Sequence, residues 1–127
     1  MVDSKVSPRA NLGARGEDIA VSYLKKLGYE IVERNFRCKL GEIDIVAYDG
    51  KTLVFIEVRT RRSKHFGSPI SSVSYQKQKK LITLARFYLK KYRLFDRSAR
   101  FDVVGITINS RGEHEIELIR NAFSERD

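Results

Sequence analysis

A single cysteine, Cys38, excludes an intrachain disulfide and any zinc site built from cysteines, and it points to a reducing compartment. Two histidines, His65 and His114, are too few for a three-histidine metal centre. No apolar run approaches the ~20 residues that a membrane span requires. The opening residues MVDSKVSPRA lack the apolar core of a secretory signal. Internal repeats and low-complexity segments are likewise missing. A cytoplasmic protein with no membrane partner is therefore expected. What is present suits one globular domain: 127 residues, 42% of them hydrophobic, with seven Phe and six Tyr for a core.

The most telling absence is local. The chain carries 25 Lys and Arg against 16 Asp and Glu, a formal net charge of +9. Residues 1–58 balance, and residues 94–127 are slightly acidic. Residues 59–93 contain no acid at all and hold Arg59, Arg61, Arg62, Lys64, Lys77, Lys79, Lys80, Arg86, Lys90, Lys91 and Arg93. Self-repulsion in such a run opposes compaction, whereas a polyanion would turn it to use through phosphate contacts and counterion release. A solvated face that only keeps the protein soluble is the competing account.

Periodicity orders the chain. Asn11 or Gly13 opens a helix to about Leu27, with Gly13, Ala20, Tyr23, Leu24 and Leu27 as its apolar stripe and Gly28 as its stop. Tyr29 to Phe36 reads as a strand. Glu42 to Tyr48 and Lys51 to Val58 read as two more, joined by an Asp49-Gly50 hairpin turn. After a basic loop, Ser72 or Ser74 caps a second helix over about 74–92, and Phe101 to Ile108 and Glu115 to Ile119 complete the strands. The order α-β-β-β-α-β-β implies a mixed sheet packed by helices. Residues 1–10 and those after Ala122 are expected to be frayed, flexible ends.

Carboxylates interrupt the apolar strands. With Asp49-Gly50 as the turn, Tyr48 faces Lys51, residue 44 faces 55 and residue 42 faces 57. Alternation then puts Ile43 and Ile45 on one face, and Glu42, Asp44, Glu57 and Arg59 together on the other. Neighbouring acids repel and call for a cation. Open carboxylates suit Mg²⁺ or Mn²⁺, and an ion pair of Glu57 with Arg59 is the simpler alternative. Glu17 lies beside the apolar stripe of the first helix, where a site role and a capping role compete. Asp18 points to solvent.

Gly16-Glu17, Arg34-Asn35, Gly41-Glu42-Ile43-Asp44, the run from Phe55 to Arg61, Phe66-Gly67, Lys77 and Arg100 to Val104 occur in that order. Together they resemble the YraN-like family of small bacterial proteins over roughly residues 11–120. That family is similar in fold to the PD-(D/E)XK nuclease superfamily, which includes archaeal Holliday-junction resolvases and restriction endonucleases. The resemblance implies a restriction-endonuclease-like mixed central sheet flanked by helices, with one endonuclease-like domain over 11–122 and a tail at 123–127. It implies Asp44 and Glu57 as metal-binding acids, Glu17 as the helix-borne acid, and Arg59 in the place of a catalytic lysine. Arginine there cannot act as a base, but it can hold a phosphate.

The expected activity is Mg²⁺- or Mn²⁺-dependent hydrolysis of DNA phosphodiesters at Asp44, Glu57, Arg59 and Glu17, with Glu42 as a secondary candidate. Arg61, Arg62, Lys64, Lys77, Lys79 and Lys80 would follow the nucleic-acid backbone. The alternative is a nucleic-acid-binding module that does not cut. Lys77 has an ordinary surface lysine as its rival reading, as His65 has an ordinary loop histidine. His114 suits a surface turn, Cys38 is read as inert, and Asp102 reads as a structural ion-pair acid beside Arg100. Tyr and Phe around 87–95 would serve a homodimer or a monomer's core equally well.

Overall fold

The structure, a computed structural model, describes residues 8–63 and 67–125. Helix α1 spans Pro8–Lys26. It begins three residues before the expected Asn11, because proline fits a first helical turn, where its missing N–H leaves no bond unmade. Gly28 ends it at φ 96°. The Tyr29 amide donates to the Leu24 carbonyl and the Gly28 amide to that of Lys25, each at 3.0 Å, the pairing of a Schellman cap. Ala20, Val21 and Leu24 are buried, whereas Leu27 lies past the helix end and is exposed.

Strands β1 (Glu30–Cys38), β2 (Gly41–Asp49), β3 (Thr52–Arg61), β4 (Ala99–Ile108) and β5 (His114–Phe123) form one sheet in sequential order. Only β3 and β4 run parallel. A parallel pair needs a crossover, and this one carries a short 3₁₀ turn, Ile70–Ser72, and helix α2, Tyr75–Lys91. The α-β-β-β-α-β-β mixed architecture is thus as expected. Helix α1 covers one face of the sheet over Ile45, Val54, Ile56, Val104 and Ile106. Helix α2 covers the other through Leu81, Leu84 and Tyr88 on Phe36, Ile43, Phe55 and Val103.

Three expectations are corrected. The hairpin register is Asp49↔Thr52, Tyr48↔Leu53 and onward to Ile45↔Ile56, two residues away from the expected one. The loop is therefore Gly50-Lys51, with the positive φ of 61° at its first position that a type II′ turn assigns to glycine. Next, Ile43 and Ile45 do not share a face: Ile43 joins the α2-side core and Ile45 the α1-side core. The hairpin reverses its faces between them, and opposite this step Asn35 adopts φ 54°, a left-handed state that asparagine tolerates better than most residues. Finally, β5 runs past the expected Ile119 to Phe123, which is buried and stacked on Phe101 with ring centroids 4.8 Å apart.

Of the aromatic residues around 87–95, Tyr88 enters the α2-side core while Phe87, Tyr92 and Phe95 stay exposed. No helix among the described residues is long and apolar enough to cross a membrane.

Candidate acidic site at the hairpin splay

The last rung of the β2–β3 ladder is Ile45↔Ile56. One residue further, the same register sets Asp44 across from Glu57, and there the side chain replaces the backbone. The Val58 amide of β3 donates to Asp44 Oδ2 at 2.8 Å. Even displacement preserves strand parity, so the expected meeting of Asp44 and Glu57 occurs although the turn is different.

Glu57 is 6% exposed, one of two buried acids among the described residues. Burial pushes the Asp44 carboxyl up to about 7. The Glu57 charge adds to this, the Val58 amide opposes it, and a hydrogen bond shared with Glu57 raises it further. A carboxyl raised in this way beside a second, buried carboxylate forms a site that a cation would relieve.

Arg59 Nη2 approaches Glu57 Oε2 at 3.1 Å, from two residues along the same face of β3. Its Nε is buried and has no hydrogen-bond partner among the described residues. Lys77, in the first turn of α2, brings Nζ to 3.9 Å from the same Glu57 oxygen. The helix is placed by Ser74, whose hydroxyl accepts from the Lys77 amide at 3.1 Å. Lys77 therefore belongs to the site in space.

Glu17 stands at the edge of the pair. It lies 3.8 Å from Arg34 Nη2, while Asp18 beside it takes the closer contact at 2.8 Å. Burial raises the Glu17 carboxyl, the Asp44 charge adds to the effect, and hydrogen bonding from Asn35 lowers it. Its position depends on Gly16: a Cβ there would run into the Thr60 side chain, so glycine alone lets α1 rest against β3 at this level. Glu42 turns aside to Arg37, 2.5 Å away, after the face reversal at Asp44, and contributes only its distant charge.

The basic candidates separate. Lys80 lies over Gly41 at the hairpin tip. Lys79 covers the Tyr75 ring at 4.7 Å. Arg61 is committed to structure, bonding Thr107 Oγ1 at 3.3 Å and the Gly67 carbonyl. Arg62 is exposed. Lys64 and His65 lie outside the described residues. Cys38 is half-buried, His114 is exposed at the β4–β5 turn, and Asp102 is fully buried with Arg100 Nε at 2.9 Å.

The donor set was tested against the cation that the resemblance implies. Among the described residues, no three His, Cys, Asp or Glu side chains converge to hold a metal ion. Asp44 and Glu57 fit as a pair: two hard oxygen donors, mutually repelling and partly buried, suit Mg²⁺ or Mn²⁺, which complete their shells with water and phosphate oxygens. Sequence reasoning missed Asn35 and the Gly16–Thr60 contact. A lone asparagine opposite an acid in a strand was the available signal for the first.

A five-stranded mixed sheet between two helices, with an acid pair beyond the last rung of the β2–β3 ladder, defines an α/β protein in which arginine and lysine face an acidic centre. The chain belongs to the Uncharacterised protein family UPF0102, which it matches over residues 16–106. It is similar to the UPF0102 protein of Geobacter sulfurreducens, 52% identical over 112 residues and 88% of each chain. It is also similar to that of Caldicellulosiruptor saccharolyticus, 47% identical over 116 residues, 91% of this chain and 98% of that one. Among solved structures it is similar to Pyrococcus furiosus SfsA in complex with Ca²⁺. The TM-score is 0.42 and the identity 18%, over 91% of this chain and 64% of that one.

Proposed function

We propose that the chain binds nucleic acid, DNA in the first instance, and hydrolyses its phosphodiesters with Mg²⁺ or Mn²⁺ held by Asp44 and Glu57. The observation that carries the reading is the Asp44–Glu57 pair itself, largely withdrawn from water, with Arg59 and Lys77 at the Glu57 carboxylate. A module that only bound phosphate would gain nothing from two acids there, since they repel the ligand. When bound, the cation would supply Lewis-acid polarisation and a nucleophilic water at neutral pH.

The chain's own groups do the rest. Asp44 and Glu57 would hold the cation, which would offset the repulsion that raises the Asp44 carboxyl. Arg59, with an unused buried Nε and a guanidinium already at the pair, binds non-bridging phosphate oxygens. Lys77 adds a second positive contact, and Lys79 and Lys80 follow the flanking backbone without reading sequence. Glu17, tied to Arg34 and Asn35, sets the field at Asp44.

A second reading, binding without cleavage, draws on the Arg59–Glu57 ion pair and on the lack of a third converging acid among the described residues. The discriminating experiment is cleavage of duplex, single-stranded, flap and four-way-junction DNA with Mn²⁺ by wild type and Glu57→Ala. Cutting that disappears in the variant supports hydrolysis. Equal cutting by both refutes this site, and DNA binding without any cutting selects the second reading.

A further inference from the structure

Tyr75 is the first residue of α2, immediately after the capping Ser74, and its side chain has no place in the core: it is 58% exposed. A large aromatic ring left in water at a helix start serves no packing purpose. It also does not stand alone. Lys79, one helical turn on, holds its ammonium 4.7 Å from the ring centroid, which braces one face of the ring and leaves a positive charge beside it. Lys77, two residues along, reaches the acid pair. A ring, a braced cation and a lysine that reaches the acid pair thus occupy the first two turns of one helix, within a stretch of chain that contains no acid.

Aromatic rings beside lysines are the elements with which proteins hold unpaired nucleotides: the ring takes the base face and the cation takes the phosphate. In a continuous duplex the bases are stacked on one another and offer no free face to a side chain at the edge. We propose that Tyr75 is a stacking platform for an unpaired nucleobase, so that this face selects single-stranded or frayed nucleic acid over uninterrupted duplex. The inference rests on the nucleic-acid reading above and adds to it the form of the substrate.

The chain contains no tryptophan, so Tyr75→Trp creates a single reporter. Without divalent cation, its emission should be quenched by oligodeoxythymidylate and left unchanged by an abasic oligonucleotide of the same length, which has the phosphates but no bases. In anisotropy titrations Tyr75→Ala should bind oligodeoxythymidylate about ten-fold more weakly. It should bind the abasic strand and a blunt duplex as wild type does, and Tyr75→Phe should restore affinity. An unchanged melting temperature for Tyr75→Ala would exclude a folding defect. Equal affinity of Tyr75→Ala and wild type for oligodeoxythymidylate, or binding without quenching, overturns the platform while leaving the nucleic-acid reading intact. Failure of wild type to bind any of the three polymers overturns that reading and the platform with it.

Discussion

At the scale of the residue, Asp44 has the most to lose from its surroundings. Its carboxyl is raised from the ordinary 3.8 to about 7 by burial first and by Glu57 second. A raised acid stabilises the fold fully below its unfolded value and loses that contribution as pH climbs through the folded value. Wild type should therefore lose stability between about pH 4 and pH 7 by an amount on the order of a few kcal/mol. Asp44→Asn, still able to accept from the Val58 amide, should flatten this slope and melt higher than wild type at pH 8. Calorimetric melts across that range check it, and parallel slopes for the two proteins would refute the assignment. Added Mn²⁺ should raise the wild-type midpoint at pH 8 and leave that of Asp44→Asn unmoved, a readout independent of catalysis. Both acids were legible in the sequence because carboxylates in otherwise apolar strands are conspicuous. The hydrogen bond that fixes Asp44 was not, since side-chain replacement of a ladder bond leaves no periodic trace.

At the scale of the element, α1 and the β1–β2 hairpin decide where Glu17 and Asp44 stand. Gly16→Ala should cost about 1–3 kcal/mol, because the added methyl must displace α1 from Thr60. Denaturant unfolding should show part of that loss recovered in a Thr60→Ala background. Ser74→Ala should cost about 1 kcal/mol through the lost cap at Lys77. Element order could be read from hydrophobic period and turn residues. Register could not: Asp49-Gly50 and Gly50-Lys51 are both acceptable turns by composition, and the longer hairpin won. The error was harmless to Glu57 and Asp44 because a shift of two keeps every side chain on its face. It was not harmless to Ile43 and Glu42, which lie beyond the face reversal opposite Asn35, where strict alternation fails.

At the scale of the molecule, the sheet is locked by a polar network around a second buried acid. Buried Asp102 accepts from the Tyr29 hydroxyl at 2.8 Å, Arg100 Nε at 2.9 Å and the Asn121 amide at 3.0 Å. Arg100 continues to Asp49 at 2.6 Å, and Arg120 reaches the Tyr29 hydroxyl at 3.1 Å. Three strands or their margins thus meet at one carboxylate, and Arg100 ties in β2 through Asp49. Asp102→Ala should cost about 1–3 kcal/mol for each donor left unsatisfied, the Tyr29 hydroxyl and the Asn121 amide, while Arg100 keeps Asp49. The sequence identified Asp102 as a structural acid from its neighbour Arg100 alone. The reach to Tyr29, Asp49 and Asn121 is long-range and was invisible to any local pattern.

The parallel pairing of β3 with β4 has a kinetic corollary. The meander of the first three strands closes through short turns, whereas Arg61 must find Thr107 across 46 residues, and that excursion includes nearly all of the acid-free stretch. Entropy and like-charge repulsion therefore oppose the same closure event. Refolding should quicken as added salt shortens the Debye length from about 30 Å at 0.01 M to about 10 Å at 0.1 M, with unfolding altered less. Stopped-flow traces of equal rate at both ionic strengths would show that the charge on this crossover plays no part in the barrier.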